Sequence, residues 1–224
     1  MLRGGVKVSD CRLTSTYADS GPAGQERCRI ARVGRPKEFD PVVAVDQAMD
    51  VFWGQGYAAT TPQQLAERLQ IAKGSMYHAF GGKRQLYDLA LQRYLDTRVQ
   101  SVGAMLEGPG PTKEILRQAL CYLVESDLER PDRRGCFATN SAVEFGRIDE
   151  EVTAHVLDFF GRTETAFRTL IERGQRDGDI RPELDAAETA SMLLSTATGL
   201  HVLARLEPGP ERLHRVVDAT LKLL

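Results

Sequence analysis

The sequence predicts an all-α protein of about nine helices, a small helix-turn-helix unit followed by a larger helical region. Three observations predict it. From Asp40 onward apolar residues recur at helical spacing almost without interruption, helix-start signals stand where these runs begin, and glycine- or proline-rich breaks separate them. No stretch reads convincingly as a strand, and no internal repeat is found.

The elements follow in order. Asp40 can cap a helix with Pro41 in its first position, and Val42, Val45, Met49 and Phe52 recur along it until Gly54 and Gly56. In "TTPQQLAERL", Thr61 is the cap, Pro62 the first helical residue and Gln64 the reciprocal partner of a capping box, with the helix closing near Leu69. A tight link leads to a second short helix from about Lys73 to Ala79, ended by two glycines. A long helix then runs from about Lys83 to Leu106 and stops at "GPGP"; another covers roughly Thr112 to Glu129. After Pro131 a short helix lies around Cys136 to Phe145. Asp149 caps a long helix to Arg176, stopped by Gly178; Asp185 opens one to Leu206, and "EPGP" precedes the last.

Composition narrows the function. The 224 residues are 42% apolar and 27% charged, ordinary for a soluble globular protein, and they suffice for one large domain or two small ones sharing a core. A formal net charge of −2 means that any affinity for nucleic acid has to be local. Cys11, Cys28, Cys121 and Cys136 show no metal-ligand spacing and read as free thiols in a reducing compartment; no metal or cofactor is expected. The longest uncharged run, Ala190 to Ala204, is short for a membrane span and holds several polar residues. Without a signal-peptide core at its start, the chain is expected in the cytoplasm. Residues 1–34 read as a flexible tail, or as an upstream extension from a wrongly chosen start. The tail ends in a basic cluster running on through Arg35 and Lys37, either a solvated charge run or an arm lying along DNA.

The most informative stretch is "IAKGSMYHAFGGKRQLY", Ile71 to Tyr87. Glycines beside lysines suggest a phosphate, but a nucleotide-binding P-loop would need glycine where Tyr77 stands and Ser or Thr where Arg84 stands. Two short helices joined by a tight turn, the second carrying basic and hydroxyl groups, describe a helix-turn-helix instead. Lys73 at the helix entrance can reach a phosphate or a guanine edge, and Ser75 suits a base edge or a water. Gly74 would let backbone approach backbone. Tyr77 and His78 can bond phosphate oxygens, and Lys83 with the following helix N-terminus can hold one phosphate. Met76 and Phe80 face inward toward Phe52, Leu65 and Leu69.

These residues, with "GRPKEFD…AMDVFWGQGYAATTPQQLAERLQ" before them and "DLALQRYLD" after, resemble the DNA-binding domain of the TetR (tetracycline-repressor-like) transcriptional regulators over about residues 34 to 96. The resemblance implies a DNA-reading domain at 35–82 and an effector-binding and dimerisation domain at 83–224. It implies a homodimer whose two reading helices enter successive major grooves of a pseudo-palindromic double-stranded DNA operator. Thr61, Lys73, Tyr77, His78 and Lys83 would make backbone contacts; Lys73, Gly74, Gln63 and Ser75 are candidates for base contacts, and Arg35 would belong to the basic arm. Two positions depart from the family pattern. Ala79 replaces a common His or Tyr, and Gly82 a common Ser or Asp cap.

In the larger region, Val152, Val156, Phe159, Thr163, Phe167 and Leu170 share one helix face, which fits either a core stripe or the lining of an effector cavity, with His155 and Phe159 as the nearest pocket candidates. "RRGCFATNSAVEF" is similar to a segment in a TetR branch that includes regulators of electrophile or oxidant defence. Cys136, at a helix start beside Arg133 and Arg134, would be a sensor thiol or would line a pocket with Phe137 and Asn140, unless it is simply a small buried residue. Cys121 reads as core that could lie near it. Met192, Thr196, Gly199 and Leu203 form one seam, and Leu213, Val217 and their neighbours another, both suited to a dimer-forming bundle or to packing within the chain. Two functions are therefore weighed: a homodimeric transcriptional repressor released by a small-molecule or electrophile/oxidant effector, and a helical thiol-dependent redox protein or enzyme centred on Cys136.

Overall fold

The computed structural model describes residues 39–224, which form nine helices with no strand among them. The tail 1–34 and the basic arm with Arg35 lie outside the described residues. The helices are α1 (Pro41–Gln55), α2 (Pro62–Arg68), α3 (Lys73–Phe80), α4 (Lys83–Leu106), α5 (Thr112–Leu128), α6 (Phe137–Phe145), α7 (Glu150–Asp177), α8 (Ala186–Ala204) and α9 (Glu211–Leu223).

Local chemistry sets most of the boundaries. Asp40 accepts from the Val42 amide at 2.8 Å, Asp149 from Val152 at 3.1 Å, and Asp185 from Ala187 and Glu188 at 2.8 and 2.9 Å. At α2 both halves of the capping box form, the Gln64 amide donating to Thr61 Oγ1 and the Thr61 amide to Gln64 Oε1. Helices α3 and α4 begin without a side-chain cap, at Ala72 and Gly82. Between α2 and α3, Gln70 takes a left-handed φ of 54°, which costs a non-glycine residue roughly 1–2 kcal/mol. Buried Leu65, Leu69 and Met76 on either side of that turn hold it closed.

Two apolar clusters share the long helix α4. The first joins α1–α3 to α6 and the first half of α7; the second joins the end of α4 to α5, the rest of α7, α8 and α9. Tyr87, fully buried, is the hub of the first: its ring lies 5.1 Å from those of Phe52, Tyr57 and Phe145, and its hydroxyl is 2.7 Å from Ser141 Oγ. Burial pushes its phenol well above the ordinary range. The apolar core therefore continues unbroken through the α3–α4 junction. In the second cluster α7 approaches so closely that a Cβ on Gly174 would lie 2.5 Å from Ile180 and 2.8 Å from Thr112, which only glycine avoids.

Two packing expectations need correction. Val42 is 52% exposed, and α1 instead buries Ala44, Val45, Ala48, Phe52 and Trp53. Leu213 and Val217 are fully buried within the chain, where α9 packs on α5 and α8, so they are not free to form a dimer seam. A helix's amphipathic stripe reports that a face is covered, not by what.

Helix α6 is bonded to the helix-turn-helix unit at both ends. At its start, the buried Trp53 indole donates to the Gly135 carbonyl at 2.9 Å. Near its end, the Glu144 carboxylate accepts from the Tyr57 and Ala58 amides at 2.8 and 2.6 Å. Separately, Arg84 of α4 pairs with Asp88 and with Asp149, the cap of α7. Replacing Glu144 by Gln puts an NH2 group against a backbone donor. Glu144→Gln should therefore destabilise by about 1 kcal/mol and lower the thermal midpoint by roughly 2–4 °C, read from unfolding monitored by circular dichroism. An unchanged midpoint would show that the carboxylate contributes nothing.

Candidate nucleic-acid interface and effector cavity

Helix α3 divides its residues between two faces. Met76 and Phe80 are buried, while Lys73, Gly74, Ser75, Tyr77 and His78 are exposed. Phe80 is further held by Phe39, with ring centroids 5.9 Å apart. One eight-residue helix thus has a fixed apolar side and a polar side rich in donors. Gly74 needs correction: a Cβ there would meet nothing within 4 Å, so no backbone packs against it in this chain.

The other predicted contact residues border this face. Thr61 and Gln63 are exposed on α2; Thr61 is engaged in the capping box, and Gln63 donates to Glu67 at 2.8 Å. Tyr77 lies over the α3–α4 turn, 3.5 Å from where a side chain on Gly82 would begin. Lys83 does not stand free. Its ammonium sits 3.9 Å from the centre of the Tyr57 ring, and burial there lowers its proton affinity, partly offset by Glu144. Arg84, next in sequence, is committed to its acidic partners.

The second site lies deeper. A cavity of about 50 Å³ is lined by Cys136, Thr139, Tyr94, Arg98, Phe159 and His201, among others. Of the predicted pocket residues it gathers Cys136, Phe159 and Thr163. The others fall elsewhere, each for a visible reason. Phe137 is buried among the rings of Tyr87, Tyr94 and Trp53. Asn140 is held by the Arg134 carbonyl at 2.8 Å and by Arg205 at 2.9 Å. His155 is half-buried on α7, outside the lining, and Cys121 packs against the second cluster, where burial pushes its thiol up.

Cys136 is 4% exposed and precedes the first residue of α6. The turn before it requires glycine: Gly135 has a φ of 62°, and a Cβ there would lie 2.9 Å from the His201 carbonyl. The predicted influence of Arg133 and Arg134 on the thiol is corrected by their commitments. Arg133 bonds the Glu207 carbonyl, while Arg134 pairs with Asp50 at 2.9 Å and stacks on Trp53 at 4.8 Å. Burial pushes the thiol up, yet the His201 charge, the Tyr94 hydroxyl 3.5 Å from Sγ and the Thr139 amide outweigh it, so the thiol ionises below its ordinary range. His201 in turn is bound through Nδ1 to Asp127 at 2.6 Å. Burial lowers its proton affinity, but the Asp127 bond and the sulfur raise it overall. Sequence reading missed His201, Asp127, Tyr94, Arg98 and Thr139; the one available hint was a histidine interrupting the apolar run of α8.

The comparisons with known proteins agree with a helix-turn-helix unit followed by a larger helical region. A family model described as bacterial regulatory proteins of the tetR family matches residues 44–90, and one described as a tetracyclin repressor-like C-terminal domain matches 115–220. The chain is 32% identical over 194 residues to the uncharacterized HTH-type transcriptional regulator YezE of Bacillus subtilis (strain 168), covering 86% of this chain and all of that one. It is 26% identical over 191 residues to the HTH-type transcriptional repressor ComR of Escherichia coli (strain K12), covering 85% and 91%. Among solved structures, a cysteine mutant of the TetR family regulator CifR, complexed with 26bp double-strand operator DNA, superposes with a TM-score of 0.75 at 31% identity, covering 84% of this chain and 98% of that one. These relatives are regulators, so nothing in them supports the thiol-enzyme alternative. The chain belongs to the TetR family of DNA-binding transcriptional regulators.

Proposed function

We propose that the protein is a homodimeric repressor that leaves a pseudo-palindromic operator when a small molecule, an electrophile or an oxidant acts at the cavity beside Cys136. In this reading residues 35–82 read DNA and residues 83–224 sense the effector and dimerise. The observation that carries it is the division of α3: Met76 and Phe80 lock the helix from behind, leaving Lys73, Ser75, Tyr77 and His78 outward on a rigid support. Thr61, Gln63 and Lys83 flank them, with Lys83 reaching a phosphate by leaving the Tyr57 ring. The operator-bound CifR structure supports DNA as the partner.

A second chain would lie against α8. Its outward stripe runs through Ser195, Gly199 and Val202, and Leu206 continues it just past the helix end; Val202 is 46% and Leu206 80% exposed, with half-buried Met192, Thr196 and Leu203 beside them. A side chain on Gly199 would meet nothing within 4 Å in this chain, leaving room for close helix approach. Two reading helices would then be set about 34–36 Å apart, one turn of DNA.

The link from cavity to reading head would be α6. The residue after Gly135 is the cavity thiol, and Gly135 itself is bonded to Trp53 of α1. An adduct that shifts the backbone at Cys136 would strain that bond. An effector works only through such a difference between the two states.

Two measurements test this, one of DNA binding and one of assembly. Binding to the DNA flanking its own gene, measured by fluorescence anisotropy, should weaken with salt at a log–log slope of roughly −0.9 per phosphate neutralised. Lys73→Ala should reduce that slope by about one, and Tyr77→Phe should weaken binding by roughly 2–10-fold through loss of a hydroxyl bond. Salt-insensitive binding, or none, would contradict the reading. Val202→Glu should turn the dimer into monomers in sedimentation and weaken operator binding with it; a stable dimer carrying this charge would place the interface elsewhere.

A further inference from the structure

We propose that Asp127 and His201 act on Cys136 as an activating pair, with the cavity admitting a small uncharged hydroperoxide that the sulfur reduces. The inference rests on Cys136 being the sensing thiol, and it names the groups and the oxidant class. Three helices converge on the sulfur. Asp127 of α5, 1% exposed, holds His201 of α8 at 2.6 Å; His201 and Cys136 line the same cavity, and Tyr94 of α4 places its hydroxyl 3.5 Å from the sulfur. Thr139 of α6 lines that cavity too. It is only 6% exposed, and its Oγ1 has no hydrogen-bond partner, a polar group held ready for an oxygen or for the ionised sulfur.

The remaining charges facing the pair are few. Arg98 of α4 opposes protonation of His201, while α7 contributes Phe159, Phe160, Thr163 and Phe167, none of which titrates. The volume of about 50 Å³ holds a molecule of a few heavy atoms, against the ~150 Å³ of a cavity that takes benzene. Val102 and Thr163 also border an open groove between α4 and α7, which gives a way in.

The chemistry balances. The Cys136 thiolate attacks one peroxide oxygen, forming an S–O bond as the O–O bond breaks. Sulfur gives up two electrons and the departing oxygen takes them. That oxygen receives the proton from Nε2 of the His201 imidazolium and leaves as water, or as an alcohol from an alkyl hydroperoxide. A sulfenic acid and a neutral imidazole remain. Asp127 never touches the peroxide; it is a positioning residue that fixes the imidazole through Nδ1 and favours its protonated form.

The test uses the full chain with Cys11, Cys28 and Cys121 changed to Ser, so that Cys136 is the reporting thiol. Alkylation by iodoacetamide, followed by mass spectrometry from about pH 5 to pH 9, should show a midpoint below that of a free thiol. His201→Asn should raise it by about one pH unit or more, and Asp127→Asn should move it the same way. Oxidation by hydrogen peroxide should slow at least about tenfold in His201→Asn, while bulky cumene hydroperoxide should react poorly even with the parent. Should these variants fail to fold, Cys136→Ser supplies the reciprocal reading: the His201 ring protons, followed by NMR, should titrate at lower pH than in the parent. An unchanged alkylation midpoint in folded His201→Asn, an unchanged His201 titration in Cys136→Ser, or equal rates with both peroxides would overturn the proposal. None of these readouts involves DNA. Oxidised protein that still holds its operator would therefore count against the release mechanism and leave the activating pair intact.

Discussion

The bond from the Trp53 indole to the Gly135 carbonyl is the constraint on which much of the architecture turns. It is buried, it spans 82 residues of sequence, and it fixes the residue next to the cavity thiol to the first helix of the reading head. A buried carbonyl without a donor costs on the order of 1–3 kcal/mol, so the two parts stay in register unless something compensates. The surroundings reinforce it. Arg130 and Arg134 stack on the same indole at 4.5 and 4.8 Å, and Tyr94 packs against it at 4.9 Å. Gly135 must be glycine because its left-handed turn and the His201 carbonyl leave no room for a side chain. The turn that delivers Cys136 to the cavity therefore also delivers the acceptor for Trp53.

In the proposed reading, this arrangement lets one short helix connect the cavity to the DNA-reading unit. α6 presents its start to the cavity and to α1, and near its end Glu144 holds the loop that leads into α2. Lys83 lies over Tyr57 in that same corner, so a residue suited to phosphate is poised at the edge of the α6 contact. The reading helix itself is held from behind by Met76 and Phe80, and movement of α6 would reach it as a rigid body, through α1 and the α1–α2 loop.

Much of the fold was legible because its signals are local. Asp40, Thr61 with Gln64, Asp149 and Asp185 cap the helices that their neighbours predict, and the bonds involved span two or three residues. The outward face of α3 was legible for the same reason, since Met76 and Phe80 fix its orientation. The activating pair was not, because Asp127 and His201 lie 74 residues apart and meet only when α5 and α8 pack. The same lack of partner information led to Leu213 and Val217 being read as a dimer seam and Asn140 as a pocket residue. Arg133 and Arg134, three and two residues before Cys136, suggested a nearby charge; folding commits them elsewhere and brings His201 in.

On the proposed mechanism, chemistry at Cys136 is felt by the reading head. The most direct measurement compares operator affinity, at one salt concentration, for protein alkylated at Cys136 alone and for the same protein unmodified. Alkylation should weaken binding by about fivefold or more, the range of ordinary allosteric coupling. Equal affinities would contradict it, however reactive the thiol proves to be.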